Sequence, residues 1–177
     1  MQVRLVMTVI GKDRTGLVES VASIVAQHGG NWLESRMCRL GGEFAGILRA
    51  EVPAENQPAL LEALKELQAN GLSVVVQPDR PEAVSHAGKL AAFEIVGHDR
   101  PGIVRQITHA LASHGVNVED FSSECVSAPM SGEPLFKAQA RLRIPDRCDV
   151  AALRRELEQM AADLMVDISF AELEDGR

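Results

Sequence analysis

The chain has no tyrosine, one tryptophan and five phenylalanines in 177 residues. With only 3% aromatic side chains, a base-stacking platform for single-stranded nucleic acid is not expected. The three cysteines, Cys38, Cys125 and Cys148, stand far apart and form no Cys-x-x-Cys pair, so neither a disulfide framework nor a zinc ribbon is indicated. No run of basic residues occurs: Arg154-Arg155 is only a pair, flanked by Glu156 and Glu158. Against 25 acidic residues the 18 basic ones leave a net charge of −7, so the basic stripe that grips phosphates is missing and direct nucleic-acid contact is not expected. Long apolar stretches are absent too. The first, Leu5 to Ile10, gives way to Gly11-Lys12-Asp13, too short for a signal peptide or a membrane span; a cytoplasmic chain without membrane contact is expected. Finally, there is no G-x-S-x-G, Walker loop, H-E-x-x-H or post-strand G-x-G-x-x-G. His98 and His109 lack partners at metal-ligand spacing. No enzyme activity, cofactor or metal is expected.

What the chain does have is a repeat. Gly11-Lys12-Asp13-Arg14-Thr15-Gly16-Leu17-Val18 returns as Gly97-His98-Asp99-Arg100-Pro101-Gly102-Ile103-Val104. The same offset of 86 carries His28, Gly29 and Asn31 onto His114, Gly115 and Asn117. Nine of the 21 residues from 11 to 31 are identical to their counterparts, where average composition gives about one or two. Most of the shared residues are polar or glycine rather than core-forming, which suggests a duplicated small-molecule pocket.

Each half yields the same order of elements. Leu5 to Ile10 reads as a buried strand. A helix follows from Gly16, with Leu17, Val18, Val21, Ile24 and Val25 on one face, ended by Gly29-Gly30. Trp32 to Leu40 and Phe44 to Val52 form a hairpin across Gly41-Gly42, then come a helix from Pro58 to Ala69 and a strand from Leu72 to Val76. In the second half the strands are Ala92 to Val96, Val118 to Val126, Leu135 to Ile144 and Leu164 to Phe170. Its helices carry Ile103, Ile107, Ala110 and Leu111, then Val150, Leu153, Leu157 and Met160. The order βαββαβ, twice, defines an α+β chain of two ferredoxin-like domains, each an antiparallel sheet with its helices on one face. The domains are expected at 1–78 and 90–173, with a linker at 79–89; the stretch from Pro78 to Lys89 holds two prolines, Gly88 and several polar residues. The second hairpin is longer by six residues, through Ser127 to Pro134.

Asp13 and Asp99 fall between a strand and a helix, where exposed backbone N–H groups and the helix dipole favour an anion. Gly16 and Gly102 let a ligand approach the backbone, and Pro101 suits a first helical turn. Asn31 and Asn117 open the following strand. A ligand carboxylate on the N–H groups and an ammonium on the Asp and Asn oxygens would together suit a free amino acid. The plain alternative is structural: Asp as a helix cap, Gly as a turn, Asn as a loop residue. Only their joint recurrence at matched spacing favours a site. Arg14 and Arg100 are expected exposed or paired with an acid, and His28 and His114 are expected to interact with the helix C-terminus. Cys38 and Cys125 read as inert strand residues. Asp79-Arg80-Pro81 echoes the motif without its glycine and is read as a decoy.

With strand-Gly-x-Asp-Arg-x-Gly-(Leu/Ile)-Val-helix-His-Gly-x-Asn laid out in both halves, the chain resembles the ACT domain, a regulatory amino-acid-binding module of ferredoxin-like fold. The resemblance implies that Asp13 and Asn31, and Asp99 and Asn117, contact an amino acid at an interface between paired domains. Many members of that family carry Asn where this chain has Asp13 and Asp99; the acid keeps an acceptor for an ammonium and removes a donor. The loop Ala128-Pro129-Met130-Ser131-Gly132-Glu133-Pro134-Leu135-Phe136 is similar to that of the glycine cleavage system transcriptional repressor family. That likeness implies a homodimeric accessory repressor that binds an amino acid, glycine or serine, and restrains a DNA-binding transcription regulator through protein contact. A regulatory subunit of an amino-acid metabolic enzyme and a purely structural dimerisation module are the competing readings.

Overall fold

In the computed structural model, residues 1–80, 88–128 and 132–173 are described. The expected linker at 79–89 therefore falls mostly outside the described residues, as do Pro129, Met130 and Ser131 of the long hairpin. The chain divides into two compact units, Met1–Glu82 and Ala83–Arg177.

The first unit runs β1 (Gln2–Lys12), α1 (Leu17–Gln27), β2 (Asn31–Leu40), β3 (Glu43–Pro53), α2 (Gln57–Glu66) and β4 (Leu72–Pro78). The second repeats it as β5 (Lys89–His98), α3 (Ile103–Ser113), β6 (Asn117–Ser127), β7 (Pro134–Ile144), α4 (Val150–Leu164) and β8 (Val166–Glu172). The sheets have strand orders β2-β3-β1-β4 and β6-β7-β5-β8, and every pairing is antiparallel. Because β1 and β2 both run against β3, they are parallel to each other, as are β5 and β6.

Period-two alternation decides which side of each strand is buried. Leu5, Met7 and Val9 of β1 face a core completed by Leu48, Ala50 and Val52 of β3 and by Leu17, Val21, Leu60 and Leu64 of the helices. The strand is therefore one-sided rather than buried throughout: Ile10 is half exposed on the other face, as an antiparallel sheet with helices on one side allows. Val18 likewise turns out of the core. In the second unit Phe93, Ile95, Leu142, Ile144, Ile107, Leu111, Leu153 and Leu157 play the same parts. Each such side chain contributes about 1.5–3 kcal/mol through its burial.

The repeated His-Gly pair has a local cause. His28 caps α1, Gly29 takes φ 68°, and the N–H groups of Gly29 and Gly30 donate to the carbonyls of Ala26 and Val25 at 2.9 Å each. This is the Schellman arrangement. Gly115 and Val116 repeat it on Ala112 and Leu111. His28 Nδ1 also donates to the Ile24 carbonyl at 2.8 Å, the helix-end role expected of it, whereas His114 Nε2 reaches Glu156 Oε2 at 2.8 Å. The Gly41-Gly42 turn has both residues at positive φ, as a tight hairpin requires.

The last helix runs further than its pattern suggests. Leu164 is the final helical residue rather than the first of a strand, and Met165 turns the chain at φ 54°. The matching turn in the first unit is Gly71 at φ 78°, so the second unit holds a side chain where glycine is the relaxed choice.

Candidate functional site

The segments after β1 and β5 are built alike. Asp13 N–H donates to the Gly42 carbonyl at 2.9 Å, and Asp99 N–H to the Pro134 carbonyl at 3.2 Å. These bonds pin each aspartate beside the hairpin. Neither acid caps its helix: the N-cap residues are Gly16 and Gly102, both at φ 91°, and neither helix start has a side-chain cap. The first-turn N–H groups are thus left without side-chain acceptors. Pro101 precedes the N-cap instead of occupying the first turn, because Gly102 must take the left-handed conformation before α3 begins.

The motif glycines have two distinct reasons. At Gly16 an added Cβ would meet nothing within 4 Å, so backbone conformation, rather than a close neighbour, demands glycine. At Gly11 a Cβ would stand 2.5 Å from the Gly71 carbonyl oxygen, and at Gly97 2.6 Å from Val166 Cα. There the entering edge strand crosses too close for any side chain.

Among the described residues Arg14 and Arg100 find no acid. Arg14 Nη2 donates to the Asn70 carbonyl at 3.2 Å and Arg100 Nη2 lies 3.8 Å from Met165 Sδ, so both lean on the turn that enters the edge strand.

The two aspartates have different neighbours. Arg39 Nε lies 2.6 Å from Asp13 Oδ2, an ion pair with the Asp13 side chain 32% exposed. At Asp99 the neighbour is the Cys125 thiol. Partial desolvation of the sulfur, and then the Asp99 charge, raise the Cys125 pKa above its ordinary value although the residue as a whole is exposed. Sequence reasoning missed both partners; the signal was present, since the offset of 86 puts Arg39 on Cys125.

Asn31 and Asn117 are exposed, but they do not join the aspartates of their own unit. Asn31 pairs across β3 with Glu51, which pairs with Arg4 of β1. Asp13 is nine residues further along, about 30 Å at the strand rise. Asn117, Arg143 and Leu90 set the same separation from Asp99. An acid and a carboxamide of one unit therefore stand at opposite ends of the sheet, and no single helix-entry cleft pairs them.

Recesses lie near both ends of the second unit. One of 490 Å³ is bordered by Gly97, His98, Leu135, Met165 and Asp167. Another of 480 Å³ is bordered by His114, Gly115, Arg147 and Asp149. Neither is bordered by Asp99 or Asn117, both of which are exposed.

Asp79 is a structural ion-pair partner. Its side chain is 9% exposed and accepts from Arg49 Nη2 at 2.6 Å. Asp79 first, then Glu34 at 3.5 Å, holds the Arg49 guanidinium above its usual pKa. The second unit has an analogous cluster in Glu119 with Arg143 and Arg141, at 2.6 and 3.6 Å. Among the described residues no group of three or more His, Cys, Asp or Glu is placed to hold a metal ion. No helix among them is long and apolar enough to cross a membrane.

Two βαββαβ units with matched helix-entry loops define a tandem ferredoxin-like protein, and the comparison with known families agrees. The ACT domain family matches residues 3–77 and 93–171; the chain belongs to that family. It is similar to the glycine cleavage system transcriptional repressor of Escherichia coli strain K12, at 24% identity over 90% of this chain and 85% of that protein. A UPF0237 protein of Methanopyrus kandleri is 36% identical over 44% of this chain and 81% of its own length. Among solved structures, an unknown protein from Galdieria sulphuraria superposes with a TM-score of 0.84 at 27% identity, covering 98% of this chain and all of that one.

Proposed function

We infer that this chain is a non-enzymatic amino-acid-sensing regulator, composed of modules at 1–78 and 90–173 joined by 79–89. It acts as an accessory repressor of glycine cleavage by restraining a DNA-binding regulator. The observation that carries the reading is a family match over both units combined with an exposed acid and an exposed carboxamide at the same positions of each. The similarity to a repressor over most of the chain supports the regulatory role, and a net charge of −7 favours contact with a protein over contact with DNA.

In this reading the Asp carboxylate and the Asn carbonyl accept from the ligand ammonium, while the Asn amide and the uncapped helix-start N–H groups of Gly16 or Gly102 and their neighbours receive its carboxylate. The 30 Å separation within a unit means that acid and carboxamide reach one ligand only when a second copy of the same module supplies one of them; a homodimer can do so. A ligand that bridges modules favours one assembly over another, and this differential is the coupling a regulator needs. Glycine, with five heavy atoms, can contribute no more than about −7.5 kcal/mol at the ceiling of −1.5 kcal/mol per atom, a Kd of a few μM at best. That range suits a metabolite pool, and serine is the next candidate.

The test is calorimetric titration of glycine and serine into the wild type and into Asp99→Ala and Asn117→Ala. Binding by the wild type and loss in both variants, with unchanged circular dichroism, is the expected result; equal affinity in all three contradicts the site. Capture from a cell extract then asks whether a transcription regulator or a metabolic enzyme comes with the protein.

A further inference from the structure

The repeat conserves the aspartate but not its partner. Along one rung of the first sheet, Arg39 pairs with Phe44 and Phe44 with Gly11. In the second sheet the same rung reads Cys125, Phe136, Gly97. Arg39 and Cys125 therefore occupy one position of the fold, beside Asp13 and Asp99 respectively. Arg39 closes on Asp13 at 2.6 Å. Cys125 puts a thiol, not a cation, at that position.

The other basic side chains beside Asp99 are turned elsewhere. His98 Nδ1 faces Glu133 at 3.7 Å, and Arg100 lies against Met165. Among the described residues no ion pair to Asp99 is formed.

An ammonium ligand meets these two carboxylates on unequal terms. At Asp99 it adds the first positive charge. At Asp13 it must displace a guanidinium already in place, or bind beside it and be repelled. The Arg39 side chain is 70% exposed, so the pair is screened and its advantage is modest. Glycine is nonetheless a weak ligand by size, and a modest handicap separates the two occupancies.

We propose that the two modules are unequal sensors: Asp99 is the preferred ammonium-accepting acid, and Arg39 serves as a built-in counter-ion that competes with ligand at Asp13. This rests on the functional reading above and adds an order of filling, Asp99 before Asp13. Occupancy at Asp13 needs about two- to fivefold more ligand, the handicap an exposed ion pair can impose. The response is then set first by the second module.

Reciprocal exchange of the two partners tests this in the full chain. Glycine titration by calorimetry should give two unequal sites per chain in the wild type. Cys125→Arg should weaken the tighter site about two- to fivefold, and Arg39→Cys should make the two sites equivalent. Two equivalent sites in the wild type, or unchanged affinity in Cys125→Arg, overturns the inference while leaving amino-acid sensing intact. A wild type that binds no amino acid contradicts the functional reading and takes this inference with it. A ligand-free arm covers misfolding of the Cys125→Arg variant. Carbodiimide coupling of glycinamide, read by peptide mass spectrometry, should modify Asp99 several-fold faster than Asp13, and Arg39→Cys should remove the difference. Equal rates in the wild type overturn the asymmetry.

Discussion

Gly11 and Gly16 sit five residues apart in one motif and should fail differently when replaced. At Gly11, alanine brings its Cβ within 2.5 Å of the Gly71 carbonyl oxygen and 3.2 Å of Leu72 Cα. Both are backbone atoms, so no rotamer relieves the clash and β4 must move off β1. Overpacking of this kind costs about 1–3 kcal/mol. At Gly16 nothing lies within 4 Å, and the cost is the left-handed φ of 91°, about 1–2 kcal/mol for an L-residue with a Cβ. Alanine also stiffens the unfolded chain, which returns about 0.4–1 kcal/mol. Applied to both sites, this leaves a net loss of about 0.8 kcal/mol at Gly16 and about 1.3 kcal/mol at Gly11. For a domain of this size 1 kcal/mol shifts Tm by about 4–8 °C, so calorimetric melting separates the two. Asparagine, which tolerates the left-handed region, is the diagnostic: at position 16 it should be milder than alanine, whereas at position 11 it should be no better. Equal losses at both sites, with asparagine giving no relief at 16, would refute the division into a packing glycine and a conformational one.

Two further outcomes follow from the same structure. Leu142→Ala, at a fully buried position, should destabilise the second unit by about 3–5 kcal/mol in urea unfolding; a loss below about 1 kcal/mol would mean the core there repacks freely. Alkylation of Cys125 by iodoacetamide should be slow at neutral pH, because desolvation and the Asp99 carboxylate raise its pKa and the thiolate is the reactive form. Asp99→Asn should move the rate–pH inflection partway down, since the desolvation remains; no movement would place the carboxylate away from the sulfur. The same shift stabilises the fold below the ordinary thiol pKa, and that contribution fades as pH rises through the raised value.

Much of the architecture was legible because it follows from local patterns. The offset of 86 announced two units, period-two and helical spacing gave the elements, and Gly41-Gly42 and Gly29-Gly30 marked their ends. Misreadings came where a neighbour in space decides. Leu164 looks like a strand residue until Met165 turns the chain at positive φ, an uncommon conformation for a side-chain-bearing residue. Leu5 to Ile10 looks wholly buried until the sheet proves covered on one face.

The site was half legible. Motif recurrence singled out which residues to question, but reading them as one pocket ignored the crossover: a helix between two parallel strands returns the chain to the starting end of the sheet. That rule alone separates Asp13 from Asn31 once βαββαβ is accepted. The Arg39–Asp13 pair could also have been suspected by carrying the offset eight residues past Asn31, where an arginine stands against a cysteine. The strand register, which makes those positions equivalent in space, came only from the structure.

Nitrogen-labelled protein titrated with glycine and followed by two-dimensional NMR addresses amino-acid recognition most directly. The side-chain amide of Asn117 and the backbone amides from Asp99 to Ile103 should shift together, with one apparent Kd, despite lying at opposite ends of their own sheet. Shifts confined to the recess around Gly97 and Met165, or none up to tens of millimolar glycine (roughly the weakest binding with any regulatory use), would contradict it.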